Sequence, residues 1–179
     1  MARSNLKMTA TQSSAAASQN QTDDLRRSIL EYLAAHNSMT IASCDQNVPW
    51  AAAVFYVSDE FDLYFFSNPH SRHGMNIAAN SAVGVAIHED YSDWKAIKGI
   101  QLEGRAERIR SPKTMLRFWE LYRKKFPFVE AFFKAGSLRD TVQSKLAGVR
   151  VYRVVPHAIW FLDNSQGFGH REMLPLNGQ

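Results

Sequence analysis

The chain has 179 residues, 45% of them hydrophobic and 21% charged, with a formal net charge of +4. That is the composition of one globular domain of ordinary size. No apolar run reaches the roughly 18 residues of a membrane-spanning helix, and a single cysteine, Cys44, excludes an internal disulfide. A reducing, cytoplasmic setting is therefore expected. The sequence pI is about 9.3, but the Lys and Arg residues are scattered and Arg123-Lys124-Lys125 is their longest run. Nucleic acid is not the expected partner. A phosphate-bearing ligand suits a mild positive balance equally well.

Residues 1–21 are rich in Ser, Ala, Thr, Gln and Asn. They read as a disordered tail, too polar to bury a core, ahead of one domain over 22–179. Thr22-Asp23-Asp24 resembles a helix start, and Leu25, Ile29, Leu30 and Leu33 recur at helical spacing. That helix is expected to stop near His36-Asn37. Strands follow at Met39–Ser43, Trp50–Val57 and Phe61–Ser67, joined by short polar turns, as in an antiparallel meander. In the third, Phe61, Leu63 and Phe65 alternate with Asp62, Tyr64 and Phe66.

A loop over Asn68–Gly74 then leads to a short helix, Met75–Ala79, and a fourth strand, Val83–His88. The fifth, Lys98–Ile109, carries Gly104 as a bend or bulge. Ser111-Pro112 announces a helix, with Leu116, Trp119 and Tyr122 along one face. Pro127 ends it, and a second short helix is expected over Phe128–Lys134. Gly136–Leu146 is ambiguous. The last strands are Gly148–Val155 and His157–Phe161, divided by Pro156. The predicted fold is mainly β with flanking helices: a six- or seven-stranded antiparallel split β-barrel. Alternating strand–helix units are missing, which argues against a Rossmann sheet.

The most informative segment is Ser67-Asn68-Pro69-His70-Ser71-Arg72-His73, where a hydroxyl, a guanidinium and an imidazole gather at a helix start. Arg binds phosphate through two parallel hydrogen bonds, and helix N–H groups add partial positive charge. The residues alone leave a solvated loop equally open. Metal-ligand spacings such as HExxH or paired CxxC are missing, so no metal site is expected. His88-Glu89-Asp90 reads as a solvated strand end, and Cys44 as a buried, inert thiol. GxSxG and P-loop patterns are also missing.

From Leu25 to Leu174 the chain resembles the pyridoxamine 5′-phosphate oxidase-like superfamily of FMN-binding split barrels. Three pieces carry the resemblance: Tyr64-Phe65-Phe66-Ser67 leading to Ser71-Arg72-His73; Gly99-Ile100-Gln101-Leu102-Glu103-Gly104-Arg105-Ala106; and Phe161-Leu162-Asp163-Asn164 with Gly167-Phe168-Gly169-His170-Arg171. The last, with Tyr122–Pro127 before it, is similar to an uncharacterised bacterial subfamily. The resemblance implies an FMN cofactor whose phosphate is held by Arg72 with Ser71 and His73. Backbone groups of Val54, Phe55 and Tyr56 would meet the edge of the flavin ring, with Ser67 beside it and Gln101 pointing toward it. Asn164, Phe168, His170 and Arg171 would close over the flavin from a partner subunit, making a homodimer. The implied activity is FMN-dependent oxidoreduction of a small molecule, with no catalytic residue indicated. A non-catalytic flavin- or haem-binding split barrel is the alternative. Bottom-up, the aromatics Trp50, Phe55, Tyr56 and Phe66 suit core packing, Gln101 suits solvent, and Asn164 with two glycines suits a turn. The true oxidase has an Arg-rich second strand and a C-terminal Arg-x-His element. This chain has Ala51-Ala52-Ala53-Val54-Phe55-Tyr56 and Gly169-His170-Arg171, so pyridoxamine phosphate is not the expected substrate.

Overall fold

A computed structural model describes residues 2–128 and 148–176, with side chains from Ser18 onward. The helices are α1 (Ala2–Ala35), α2 (Arg72–Ala79) and α3 (Pro112–Lys125). The strands are β1 (Ser38–Asp45), β2 (Val48–Asp59), β3 (Asp62–Ser67), β4 (Ala82–His88), β5 (Lys98–Arg108), β6 (Arg150–Asp163) and β7 (Arg171–Leu174). They are hydrogen-bonded in the order β3-β2-β1-β4-β5-β6-β7, every neighbour antiparallel, and β3 also pairs with β6. Six strands thus close into a barrel, and β7 adds an edge to β6. Among the described residues no helix is long and apolar enough to cross a membrane.

Strand alternation sorts the apolar side chains into two layers. Leu63 and Phe65 point into the barrel and meet Ile41, Ile87, Ile100 and Val154. Ile29 and Leu33 of α1, one helical turn apart and fully buried, complete that core. The opposite parity, Val57, Tyr64 and Val151, packs on Phe118 and Phe126 at α3. There Phe66 lies 4.6 Å from the Phe118 ring and 5.1 Å from that of Tyr122.

Within the described residues after 38, the expected strands and helices are present, with four corrections. Pro156 does not divide two strands: β6 runs through it, with Pro156 opposite Gly104 at a register shift that leaves His157 of β6 without a partner, the kind of bulge at which a strand tolerates proline. Trp119 and Tyr122 lie on the apolar face of α3 as expected, with Phe118 and Met115, but Leu116, 67% exposed, does not. Cys44 is half-buried instead of buried, because its strand parity turns it away from the barrel interior. Arg171 begins strand β7 instead of belonging to a loop.

The first helix starts at Ala2, not at Thr22. The Thr22 hydroxyl, expected as a cap, donates instead to the Ser18 carbonyl one turn back. Ser111 is a cap as expected, accepting from the Thr114 amide ahead of Pro112. The expectations for a helix continuing to Lys134 and for Gly136–Leu146 lie outside the described residues.

One lysine ties α3 to α1. Lys125 Nζ donates to the carbonyls of Leu33 (3.2 Å) and His36 (2.5 Å), at the C-terminal end of α1, and sits 4.1 Å over the Tyr56 ring. The buried Tyr56 hydroxyl donates to the same Leu33 carbonyl. Lys125→Met, which keeps the length and removes the donor, is expected to lower stability by about 2 kcal/mol in denaturant unfolding. Burial pushes the Lys125 ammonium down to about 8. The unfolded chain therefore keeps this proton to a higher pH than the folded one. Wild type should gain stability relative to Lys125→Met as pH rises from about 8 toward 10.5.

Candidate functional site

The segment after β3 folds around Ser71. Its hydroxyl caps α2 by accepting from the Gly74 amide at 3.2 Å, and donates to the Asn68 carbonyl at 2.7 Å. Gly74 is required here: a Cβ would lie 2.7 Å from the Asn68 carbonyl oxygen and 2.9 Å from that of Pro69. Ser67 Oγ lies 3.1 Å from Ser71 Oγ and 2.5 Å from His73 Nε2. One assignment puts a proton in each of the three shortest contacts: His73 Nε2–H donates to Ser67, Ser67 to Ser71, and Ser71 to the Asn68 carbonyl. Burial holds the His73 pKa below its ordinary value of 6.5, so the imidazole is neutral at pH 7. The unfolded state then binds more protons under mild acid. Stability should fall as pH drops below about 6.5, and His73→Gln should flatten that fall in pH-dependent unfolding.

Arg72 does not join this chain of hydroxyls. Its side chain is exposed, and its guanidinium lies 4.6 Å over the Trp50 ring on β2. Ser71, Arg72 and His73 are brought to one helix start but not to one point. Ser71 and His73 are engaged with Ser67, while the cation faces the start of β2.

β2 is longer than its partner β3. The β2–β3 ladder begins at Tyr56 and Phe65, whereas the β1–β2 ladder extends from Phe55 back to Val48. Among the described residues, one edge of β2, from Val48 to Phe55, therefore has no strand beside it. Alternate amide and carbonyl groups along it are available to a ligand. Trp50 belongs to that stretch, and Arg72 lies over its ring. Val54 and Phe55 also lie on that edge, with Phe55 55% exposed. Tyr56 is wholly buried and committed to Leu33.

Gln101 is exposed on the outer face of the barrel, in a row with Ala86, Thr40 and Ala53 on neighbouring strands. The next row holds Glu103, Gly84, Ala42 and Ala51. Short side chains thus form an outer sheet face with a shallow cleft of about 410 Å³.

The C-terminal loop sits away from Arg72, against the short turn Trp94–Ala96. Asn164 is buried and acts as its brace. Its side-chain amide donates to the Trp94 carbonyl, its Oδ1 accepts from the Gly169 amide, and its backbone N–H donates to Ile97. Gly167 at φ 147° and Gly169 at φ 72° turn the chain around Phe168, which is 84% exposed and packs edge-on against Trp94. His170 pairs with Glu172 at 3.1 Å, and Arg171 is exposed. Asn164, read from sequence as a cofactor contact, thus has its polar atoms engaged within this chain, and it presents Phe168. Trp50 as the partner of Arg72 and Trp94 as the partner of Phe168 carried no local signal in the sequence. Among the described residues, no cluster of His, Cys, Asp and Glu has the makeup of a metal centre.

A closed antiparallel barrel with a polar helix start at its rim defines a split-barrel protein. The chain belongs to the pyridoxamine 5′-phosphate oxidase family, whose model matches residues 25–163. It is similar to a UPF0306 protein of Klebsiella pneumoniae, 24% identical over 150 residues, covering 83% of this chain and 91% of the relative. Its fold is similar to that of a heme binding protein from Mycobacterium smegmatis, with TM-score 0.59 and 18% identity, covering 78% of this chain and 53% of that one. It is also similar to a FAD-binding protein from Mesorhizobium loti, with TM-score 0.54 and 18% identity, covering 72% and 87%.

Proposed function

We propose that the chain binds FMN between two copies of itself and serves as an oxidoreductase for a small molecule other than pyridoxamine phosphate. The observation that carries this reading is the edge of β2 from Val48 to Phe55, unpaired among the described residues, with the exposed guanidinium of Arg72 over the ring of Trp50 in that stretch. FMN needs a cation for its phosphate, hydrogen-bonding groups along its ring edge and an apolar slot for the ring. Arg72 meets the first need, the β2 backbone the second and Phe55 part of the third. The outer face of small residues around Ala42, Ala53 and Ala86 lets a second barrel approach closely. That second barrel would supply the remaining wall, including Phe168, His170 and Arg171 of its C-terminal loop.

Bound FMN would supply two-electron transfer between a reduced donor and an acceptor. This chain's own residues would position it. Arg72 would grip the phosphate bidentately, the β2 edge would fix the ring, and Gln101 would direct an amide at it from the outer face. The Ala51-Ala52-Ala53 stretch offers no second cation for a substrate phosphate, which is the reason for excluding pyridoxamine phosphate. The half-buried thiol of Cys44 suits the reducing cytoplasm.

The likeness to a mycobacterial heme binding protein supports one other reading, a non-catalytic haem carrier. The absorbance spectrum of the purified full-length chain, with mass identification of what co-purifies, separates the two. A flavin spectrum identified as FMN supports the proposal. A haem Soret band on a flavin-free protein contradicts it.

A further inference from the structure

A second polar cluster lies where three strand ends meet at the barrel rim. β3 ends at Ser67, β5 ends at Arg108 and β6 begins at Arg150. Register sets two rows across them: Arg108, Tyr152 and Phe65 in one, Arg150 and Ser67 in the next. These positions share the parity of Leu63, Ala106 and Val154, which point into the barrel core. The rim therefore gathers two guanidinium groups, a phenol and a hydroxyl on one inner face.

Tyr152 is the unusual member. It is only 3% exposed and its ring stacks on Phe65 at 5.2 Å and 19°. Its hydroxyl makes no hydrogen bond among the described residues, yet it is not sealed. Among described side-chain atoms, the one both sealed and unbonded is Arg153 Nε. A buried phenol normally finds a partner. Register places Arg108 directly opposite Tyr152 and Arg150 two residues before it on the same face of β6; burial pushes the Tyr152 phenol up, and these two cations pull it back. Arg150 is oriented in part by donating Nη1 to the Val149 carbonyl. His73, 6.3 Å from Phe65 and bonded to Ser67, flanks the same rim.

We propose that this rim binds an oxyanion, the phosphate or carboxylate of a small molecule, between Arg108 and Arg150 with the Tyr152 hydroxyl as a donor. A neutral donor beside two guanidinium groups is the chemistry of oxyanion recognition. The site is distinct from the phosphate grip proposed at Arg72, which faces Trp50. It stands whether or not the chain binds FMN.

The test is calorimetric titration of the full-length protein with inorganic phosphate, and separately with acetate, at constant ionic strength, with and without added FMN. Saturable binding that persists with FMN is expected. A preference for phosphate points to a phosphate ester, and a preference for acetate to a carboxylate. Tyr152→Phe, which keeps the ring packing, should weaken binding about tenfold, and Arg108→Gln by about tenfold or more. Arg72→Ala should leave it unchanged. The proposal is overturned if wild type binds neither anion. It is equally overturned if both variants bind as wild type does, or if FMN or Arg72→Ala abolishes the binding.

Discussion

Replacing Arg72 by Ala is expected to weaken FMN binding by about 100-fold, the loss of a paired, charge-assisted contact worth about 3 kcal/mol. The folded chain should barely register the change. Arg72 is exposed and its one described contact is the Trp50 ring, and such a cation–π contact at the surface contributes at most about 1 kcal/mol. A large loss of affinity with nearly unchanged unfolding would separate a ligand-binding role from a structural one. Arg72→Lys should fall between, because it keeps the charge and loses the fork. Fluorescence titration of FMN against the three proteins measures this. Equal affinity in all three would remove Arg72 from the site.

Gly104→Ala is expected to be the most damaging single-methyl change for the fold, lowering unfolding free energy by about 3 kcal/mol. A Cβ at this position would lie 2.5 Å from the Val155 carbonyl oxygen and 3.0 Å from Pro156 Cα. Both are backbone atoms of the paired strand, so neither yields by a rotamer change. They sit at the register shift where β5 and β6 cross Pro156, and moving them disturbs the longest ladder of the barrel. Gly148→Ala, where a Cβ meets nothing within 4 Å, should change stability by no more than about 0.5 kcal/mol. Urea unfolding of both variants checks the contrast.

The barrel was legible wherever alternation was clear. Phe61, Leu63 and Phe65 are buried inward as their spacing required, and Tyr64 and Phe66 form the layer under α3. Pro156 reads as a strand break because a proline normally interrupts a ladder, but a bulge at His157, set by the pairing of Pro156 with Gly104 on β5, accommodates it. Leu116 misled because Phe118, one position off the assumed stripe, takes the buried face of α3. Thr22 reads locally as a cap, yet it lies mid-helix with its hydroxyl bonded one turn back.

At the site, the cap role of Ser71 was visible in the local sequence. The direction of Arg72 was not, because it depends on Trp50, brought beside it by the fold. Asn164 was legible as a turn residue, but its bonds to Trp94, Ile97 and Gly169 make it a brace. The rim of Arg108, Arg150 and Tyr152 has no local signature in the sequence, because its members sit on strands that meet only through register.

The most direct measurement is an equilibrium titration of the full-length chain with FMN, followed by flavin fluorescence and by sedimentation on the same samples. The account predicts quenching that saturates at one FMN per chain on a particle of two chains. Free FMN fluorescence undiminished at saturating protein, on a chain that sediments as a monomer, would contradict it.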